Sequence, residues 1–104
     1  MPNYLLSYHG GGMASSAEEQ AKVMAAWGQW FQGLGDKLVD GGRPVTHSVT
    51  IDQSGSAGDG GANPVTGYSV IKAGSMDDAL ELARGCPVLQ GGASIEVGET
   101  VDMG

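Results

Sequence analysis

The sequence predicts an α+β fold in which a strand–helix–strand unit occurs twice, so that the elements follow the order βαββαβ. Two segments have apolar residues at helical spacing, four others are rich in strand-forming residues, and glycine clusters separate them. Glycine is unusually frequent, with 19 of 104 residues against a typical share of about 7%. The order is that of the ferredoxin-like arrangement, in which a four-stranded antiparallel sheet carries two helices on one face.

Four segments are predicted to form the strands of this sheet: residues 4–9, 45–52, 65–73 and 93–100. The second segment alternates most clearly, because Val45, His47, Val49 and Ile51 share one face while serine and threonine occupy the other. We therefore expect it to be the second strand of the sheet.

Both predicted helices begin at a serine that is followed by acidic residues. Ser15 and Ser16 stand three residues before Glu18 and Glu19, which is the spacing of a capping box, and Ser75 caps the second helix. The apolar face of the first helix comprises Met24, Trp27, Phe31, Leu34 and Leu38, with Val23 and Trp30 beside them, and that of the second comprises Met76, Ala79, Leu80 and Ala83. Glycine is expected to end both helices, near position 33 or 35 and at position 85.

The strands hold more apolar residues than one covered face of a sheet requires. Leu5 and Leu6 are neighbours on the first strand, and Val70 and Ile71 are neighbours on the third, so each pair places one apolar side chain on each face. Two helices cover only one of these faces. We therefore expect a homodimer in which a second copy of the chain covers the other face.

Length and charge limit the partners and the compartment. A chain of 104 residues is expected to form one domain, residues 1–104. Five basic residues are scattered among twelve acidic ones, so no basic surface for nucleic acid is expected. No apolar run approaches the roughly 20 residues of a membrane span, and the N-terminus does not resemble a signal peptide. With the single Cys86, these features favour a cytoplasmic protein.

Several short stretches in the second half of the chain occur in a recognisable order. They are Asp-Gly-Gly at 59–61, Gly-Tyr-Ser-Val-Ile at 67–71, a Ser-Met-Asp-Asp-Ala helix from 75 that ends in Cys-Pro at 86–87, and Gly-Gly at 91–92 before Ile-Glu-Val at 95–97. These stretches resemble the DGPF branch of the YCII-related family, although Gly-Ala replaces the branch's Pro-Phe after Asp59 and Gly60. The resemblance implies a dimeric α+β barrel. Most members of the family have no assigned activity. One member of the family eliminates chloride from a chlorinated muconolactone. In another branch, a His–Asp pair has been suggested to act in catalysis. That pair has no counterpart here, because the first helix lacks histidine.

Two histidines are the candidate acid–base groups. His9 ends the first strand beside three glycines, where an imidazole could act as general acid or base, although an exposed strand-end histidine is equally compatible with the pattern. His47 shares a strand face with apolar residues, which favours a half-buried structural role in the core or the dimer interface. A cavity shared with His9 would instead make it an assistant to His9. No third ligand has suitable spacing, so neither a metal nor another cofactor is expected.

Loops and one strand supply the other candidate site residues. Asp59 lies in a glycine-rich loop, residues 53–64, that is either a lid carrying an acid or base or a hairpin tip. Gly10, Gly11 and Ser15 precede a helix and either bind an anion or only turn the chain.

Tyr68 and Ser69 point to opposite faces of a central strand, so one of them should face the cavity between subunits. Packing roles are nevertheless favoured for Tyr68 and Tyr8, as for Trp27 and Trp30, and a structural role for Cys86.

Two functions are compatible with these residues. In the first, a cofactor-independent enzyme transfers a proton, isomerises or eliminates on a small cyclic carboxylic acid or lactone, using His9 with Asp59 or His47. In the second, a dimeric module binds a small ligand or serves as an accessory subunit without turnover. Convergence of both histidines and an acid in one pocket would favour the enzyme, and separated histidines with the tryptophans filling the pocket would favour the module.

Overall fold

A computed structural model describes residues 1–11 and 16–103, and its elements form a mixed α+β fold. The strands are β1 (Asn3–His9), β2 (Leu38–Asp40), β3 (Val49–Ile51), β4 (Ala57–Asp59), β5 (Val65–Lys72) and β6 (Ser94–Glu99), the helices are α1 (Ala17–Leu34) and α2 (Met76–Ala83), and 3-10 turns cover Gly35–Lys37 and Pro87–Gly91.

Four of the strands form one antiparallel sheet in the order β2-β5-β1-β6. The first and last parts of the chain thus lie beside each other, because β6 pairs with β1. This arrangement is compatible with a ferredoxin-like fold and confirms the predicted α+β class. The remaining strands, β3 and β4, pair only with each other and form a separate hairpin.

Both helices begin where the sequence predicts. The Ser16 hydroxyl accepts the amide of Glu19 at 3.1 Å, and the Ser75 hydroxyl accepts the amide of Asp78 at 3.2 Å. Helix α1 ends at Gly35, whose φ of 59° is in the region that favours glycine. Ser15, the other predicted cap, lies outside the described residues.

The core lies between the sheet and the two helices. Alternation along β1 turns Tyr4, Leu6 and Tyr8 toward the helices, where they pack with Ile71 of β5 and Leu34 of α1. Ala79 and Ala83 bring α2 onto the same sheet face. Two members predicted for the apolar face of α1 are wrong, because Val23 and Met24 lie on its exposed side.

The other side of the sheet carries no helix of the described chain, and we call it the open face. Its side chains include Leu5, His9, Tyr68, Val70, Lys72 and Glu96, which alternate with the core residues. Leu5 is 38% exposed there. No helix in residues 1–11 and 16–103 has the length and hydrophobicity that a membrane crossing needs.

The predicted second strand, Val45–Asp52, is wrong in position. The second strand of the main sheet is β2, which follows the 3-10 turn directly and pairs with β5, while only Val49–Ile51 of the alternating segment is extended and belongs to the hairpin. An alternating pattern specifies an extended segment but not the strand with which it pairs. Leu38, counted as helical in the prediction, belongs to β2 because Gly35 ends the helix before it.

Candidate functional site

His9 is the most distinctive polar residue of the sheet. It ends β1 on the open face, where the pairing of β1 with β5 shifts register between Tyr8 and His9. Such irregularities re-aim a side chain, and they are frequent beside active sites. The His9 side chain is only 10% exposed, although it stands at a strand end. The structure therefore holds this imidazole in a fixed and largely buried position.

Each ring nitrogen of His9 faces a different neighbour. Nδ1 lies 3.0 Å from the backbone carbonyl oxygen of Asn63, and Nε2 lies 3.5 Å from a carboxylate oxygen of Glu96. Because a carbonyl can only accept, Nδ1 carries a proton and donates it to Asn63. In the neutral imidazole, Nε2 is then the unprotonated nitrogen, so it is the position at which a proton is gained or lost.

Nε2 has an unusual environment for a polar atom. It is buried and has no hydrogen-bond partner among the described residues. The Glu96 carboxylate, 3.5 Å away, cannot donate to an unprotonated nitrogen, because an ionised carboxylate only accepts hydrogen bonds. A second proton on the ring would pair the imidazolium with this carboxylate. The Glu96 side chain itself is 77% exposed. A buried polar atom without a partner is often associated with a functional role.

The chain around His9 is tightly organised by its neighbours. The Thr66 hydroxyl lies 3.1 Å from the carbonyl oxygen of Gly10 and 3.2 Å from that of Tyr8, which ties the end of β1 to β5. Gly10 and Gly11 have positive φ values, of 76° and 86°, and a Cβ on Gly11 would lie 3.2 Å from the Cβ of Ala93. Gly10 and Gly11 thus adjoin the candidate site, whereas Ser15 lies outside the described residues.

The two predicted assistants of His9 do not contact it. His47 precedes the hairpin and is exposed, so it lies outside the core, and in the described part of the chain it has no hydrogen bond or ion pair. Asp59 is also exposed, and its carboxylate accepts the amide of Gly61 at 3.1 Å. The partners of His9 are instead Asn63 and Glu96, neither of which is predicted from the sequence.

A second polar group lies in the core. The Tyr8 hydroxyl donates to Ser69 Oγ at 2.7 Å, and the Ser69 hydroxyl donates to the carbonyl oxygen of Gly41 at 2.8 Å. Burial raises the pKa of Tyr8 well above its ordinary value, and burial also raises the pKa of the neighbouring Cys86 thiol. Both groups are therefore uncharged at neutral pH and serve the packing roles that the sequence predicts for them.

Tyr68 and Ser69 lie on opposite faces of β5, as their adjacent positions predict. Ser69 is fully buried between the sheet and the helices, and Tyr68 is half-buried on the open face. Of this pair, Tyr68 is therefore the side chain that a second subunit would meet.

Aromatic rings fill the space above Tyr8. Trp27 packs edge-on against the Tyr8 ring with 5.6 Å between centroids, and it also contacts Trp30 and Phe31. The indole N–H of Trp30 donates to the carbonyl oxygen of Leu82 at 3.1 Å, which joins α1 to α2. These contacts make the tryptophans part of the core, as predicted from their helical spacing.

Two open clefts occur elsewhere on the described surface. One, of about 330 Å³, lies near Lys37, Asp78 and Glu81, and the other, of about 610 Å³, lies between the two chain ends. Neither includes His9. Within residues 1–11 and 16–103, no three histidine, cysteine, aspartate or glutamate side chains come together as metal ligands.

Comparison with protein families and with curated proteins finds no match. No protein-family model matches the chain, and a search of curated proteins finds no significant match.

Proposed function

We propose that the protein is a small, cofactor-independent enzyme that transfers a proton on a small cyclic carboxylic acid or lactone, with His9 as its acid–base residue. One observation carries the proposal: His9 Nε2 is buried and without a hydrogen bond while Nδ1 is bound to a carbonyl. This arrangement fixes the tautomer and directs the basic nitrogen away from the backbone. In this proposal Glu96 has the assisting role predicted from the sequence for Asp59 or His47, because its carboxylate lies 3.5 Å from Nε2.

The chemistry follows from the two ring nitrogens. His9 Nε2 removes a proton from a carbon next to the substrate carbonyl, so that a C–H bond breaks, an N–H bond forms and the electron pair moves into an enolate. The Glu96 carboxylate, 3.5 Å away, stabilises the resulting imidazolium. Return of the proton to another carbon isomerises the substrate, and loss of a leaving group from the neighbouring carbon completes an elimination instead. Neither path requires a metal or an organic cofactor.

The same proposal includes membership of the YCII-related family and its dimeric α+β barrel. Three features support it: the family-like stretches of the second half, the four-stranded sheet with two helices on one face, and the open face on the other. The proposed substrate class is consistent with the member of that family that eliminates chloride from a lactone.

Deuterium exchange tests the proton transfer even when the product is unidentified. The protein is incubated in D2O with unsaturated five- and six-membered lactones and their open-chain acids, and NMR follows deuterium incorporation at carbon. We expect exchange with at least one compound, and we expect His9→Gln to lower its rate by roughly 100-fold or more, as loss of a general base does. Equal rates for His9→Gln and the unchanged protein would disprove the role of His9.

His47→Gln is the matched control, because His47 is exposed and has no described partner. It should leave the exchange rate unchanged. Glu96→Gln should lower the rate less than His9→Gln and alter its pH profile, since the amide cannot stabilise the imidazolium as a carboxylate does.

The alternative is a dimeric module that binds a small ligand without turnover. The packed aromatic layer of Trp27, Trp30 and Phe31, together with the separation of His9 from His47, favours it. Compounds that bind to the unchanged protein but show no deuterium exchange would support this module over the enzyme.

For either function we propose a homodimer in which the second copy covers the open face. Leu5 and Val70 are adjacent there, with Tyr68 beside them on β5, which gives an apolar centre. Lys72 lies at one end of β5, and Glu96 lies toward the opposite end of the face. A two-fold axis that lies between the two faces and runs across the strands places the Lys72 end of each copy opposite the Glu96 end of the other, so the charges at the two ends are complementary.

Leu5→Glu is expected to convert the protein to a monomer. A carboxylate at the apolar centre of the interface would be desolvated opposite its own symmetry mate. Light scattering after size-exclusion chromatography should then give the 10.5 kDa mass of one chain instead of twice that mass. Val23→Glu is the control, since Val23 is 46% exposed on α1 and outside the open face, and it should stay dimeric. A dimer that persists in Leu5→Glu would place the interface elsewhere.

A further inference from the structure

We propose that the β3–β4 hairpin is an arm that packs its apolar face on a second copy of the chain. The inference rests on the homodimer proposed above and adds a second contact to it. No role for the hairpin follows from the proton-transfer site, because neither His47 nor Asp59 contacts His9.

The hairpin exposes apolar side chains that its own fold does not cover. Its register pairs Val49 with Asp59 and Ile51 with Ala57, so these side chains share one face of the two-stranded ribbon. Val49 is 53% exposed and Ile51 is 71% exposed. A two-stranded hairpin alone is marginally stable in water, and burial of one face is what normally stabilises it.

The turn and the base of the hairpin are nevertheless well built. At the turn, the Asp52 carboxylate accepts the amides of Ser54 at 2.9 Å and Ser56 at 3.1 Å. The Ser54 hydroxyl also donates to this carboxylate, and this bond, with the two amide bonds, keeps the pKa of Asp52 below its ordinary value. At the base, a Cβ on Gly60 would lie 2.7 Å from the Cβ of Ser48, so the two strands are in close contact. The hairpin is thus an ordered element whose apolar face has no partner in the described chain.

The base of the hairpin is attached to one end of the main sheet. The Val45 amide donates to the carbonyl oxygen of Thr66 at 3.0 Å on the way in, and the Asn63 carbonyl accepts from His9 on the way out. The described chain has a radius of gyration of 15.0 Å, against about 13 Å for a compact chain of 100 residues. The molecule is therefore extended, as an arm attached at the rim of the sheet would make it.

Charge favours a second copy as the occupant of this face. Residues 46–63 contain two acidic side chains, Asp52 and Asp59, and no lysine or arginine. Lys72 lies on the open face at the far end of β5, away from the base of the hairpin. The two-fold axis proposed for the homodimer also brings the acidic arm of one copy to the Lys72 end of the other. Two arms then bind reciprocally, which closes the assembly at two chains.

The arm is tested by weakening its apolar face while keeping its strand propensity. The double variant Val49→Thr/Ile51→Thr retains β-branched residues but exposes hydroxyls in place of methyl groups. We expect the dimer dissociation constant, measured by sedimentation velocity over a dilution series, to rise at least tenfold. Thr50→Ser alters the opposite face of the same strand and should leave the constant unchanged.

Hydrogen exchange on the unchanged protein gives a second, independent measurement. Amides of residues 49–51 and 57–59 should exchange more slowly above the dissociation constant than below it. The arm would be disproved if a dimer forms but the exchange of these amides does not depend on concentration. It would also be disproved if the double variant dimerises as tightly as the unchanged chain. Neither result would contradict the homodimer itself. A chain that stays monomeric at every concentration would overturn both. The acid–base role of His9 is judged separately, from the deuterium-exchange rates of His9→Gln and the unchanged protein.

Discussion

Gly42→Ala is expected to destabilise the protein more than alanine at any other described glycine. Gly42 has a φ of 77°, and a Cβ placed there would lie 1.6 Å from the carbonyl oxygen of Tyr68. That oxygen belongs to the backbone of a central strand, so the clash cannot be relieved by a side-chain rotation. We expect a loss of about 4 kcal/mol or more in the free energy of unfolding, the range of severe steric and backbone substitutions.

Urea unfolding followed by circular dichroism measures this loss, and Gly28→Ala is the matched control. Gly28 lies inside α1, and a Cβ there meets no atom within 4 Å. Alanine should therefore raise the free energy of unfolding by roughly 0.5–1 kcal/mol, because it favours the helix. Equal unfolding midpoints for Gly42→Ala and the unchanged protein would show that residues 41–43 do not lie against β5 as described.

The position of Gly42 matters because it leads the chain toward the site. The Ser69 hydroxyl donates to the Gly41 carbonyl, and the Tyr68 amide donates to the Arg43 carbonyl at 3.3 Å, so residues 41–43 run along β5. The hairpin follows this segment and returns at Asn63, whose carbonyl orients His9. Loss of the close contact at Gly42 would thus displace a chain segment that connects the sheet to the candidate acid–base residue.

Local signals in the sequence are sufficient for the helices and for most strands. The caps at Ser16 and Ser75 and the glycine that ends α1 depend on neighbours within four residues, and all three are confirmed. The strands β1, β5 and β6 lie within one or two residues of their predicted ends. Each has a clear pattern because one of its faces is packed against the helices.

The prediction of the second strand is wrong for a physical reason. Apolar and polar residues alternate along residues 45–52 as clearly as along any strand of the core. The same alternation occurs in a separate hairpin and in a strand of the main sheet, so the pattern cannot distinguish them. β2 has only three residues, which is too short for a periodic signal. Its place beside β5 depends on the turn at Gly35, and tertiary contacts rather than local propensity determine that pairing.

The candidate site is predictable only in part. The position of His9 at a strand end beside glycines singles it out in the sequence, and that position is confirmed. Glu96 and Asn63 are not predicted because their contacts with His9 span 87 and 54 residues of sequence. A signal for Glu96 exists, since it lies between the core residues Ile95 and Val97 and must therefore face the open side, as His9 does.

Tyr8→Ala is expected to cause the second large loss of stability. The Tyr8 ring is 4% exposed and contacts Trp27 edge-on, so its removal leaves a cavity at the centre of the aromatic layer. Deleting a buried aromatic ring costs about 3–5 kcal/mol. Tyr8→Phe is the matched variant, because it keeps the ring and removes only the hydroxyl that donates to Ser69. It should cost about 1 kcal/mol, the value of one hydrogen bond, and equal losses for the two variants would contradict the packing role of the ring.

The same hydroxyl makes stability depend on alkaline pH. Burial raises the pKa of Tyr8 in the folded protein, whereas tyrosine in the unfolded chain ionises near pH 10. Below that pH both states hold the proton and the contribution of Tyr8 is complete. As the pH rises above it, the unfolded state loses the proton first, so the free energy of unfolding falls. Urea titrations between pH 7 and 11 should show a shallower fall for Tyr8→Phe than for the unchanged protein. The fall in the free energy of unfolding that remains in Tyr8→Phe is assigned to Tyr4 and Cys86, whose pKa values burial also raises. Identical slopes for Tyr8→Phe and the unchanged protein would mean that the Tyr8 hydroxyl is open to water in the folded state.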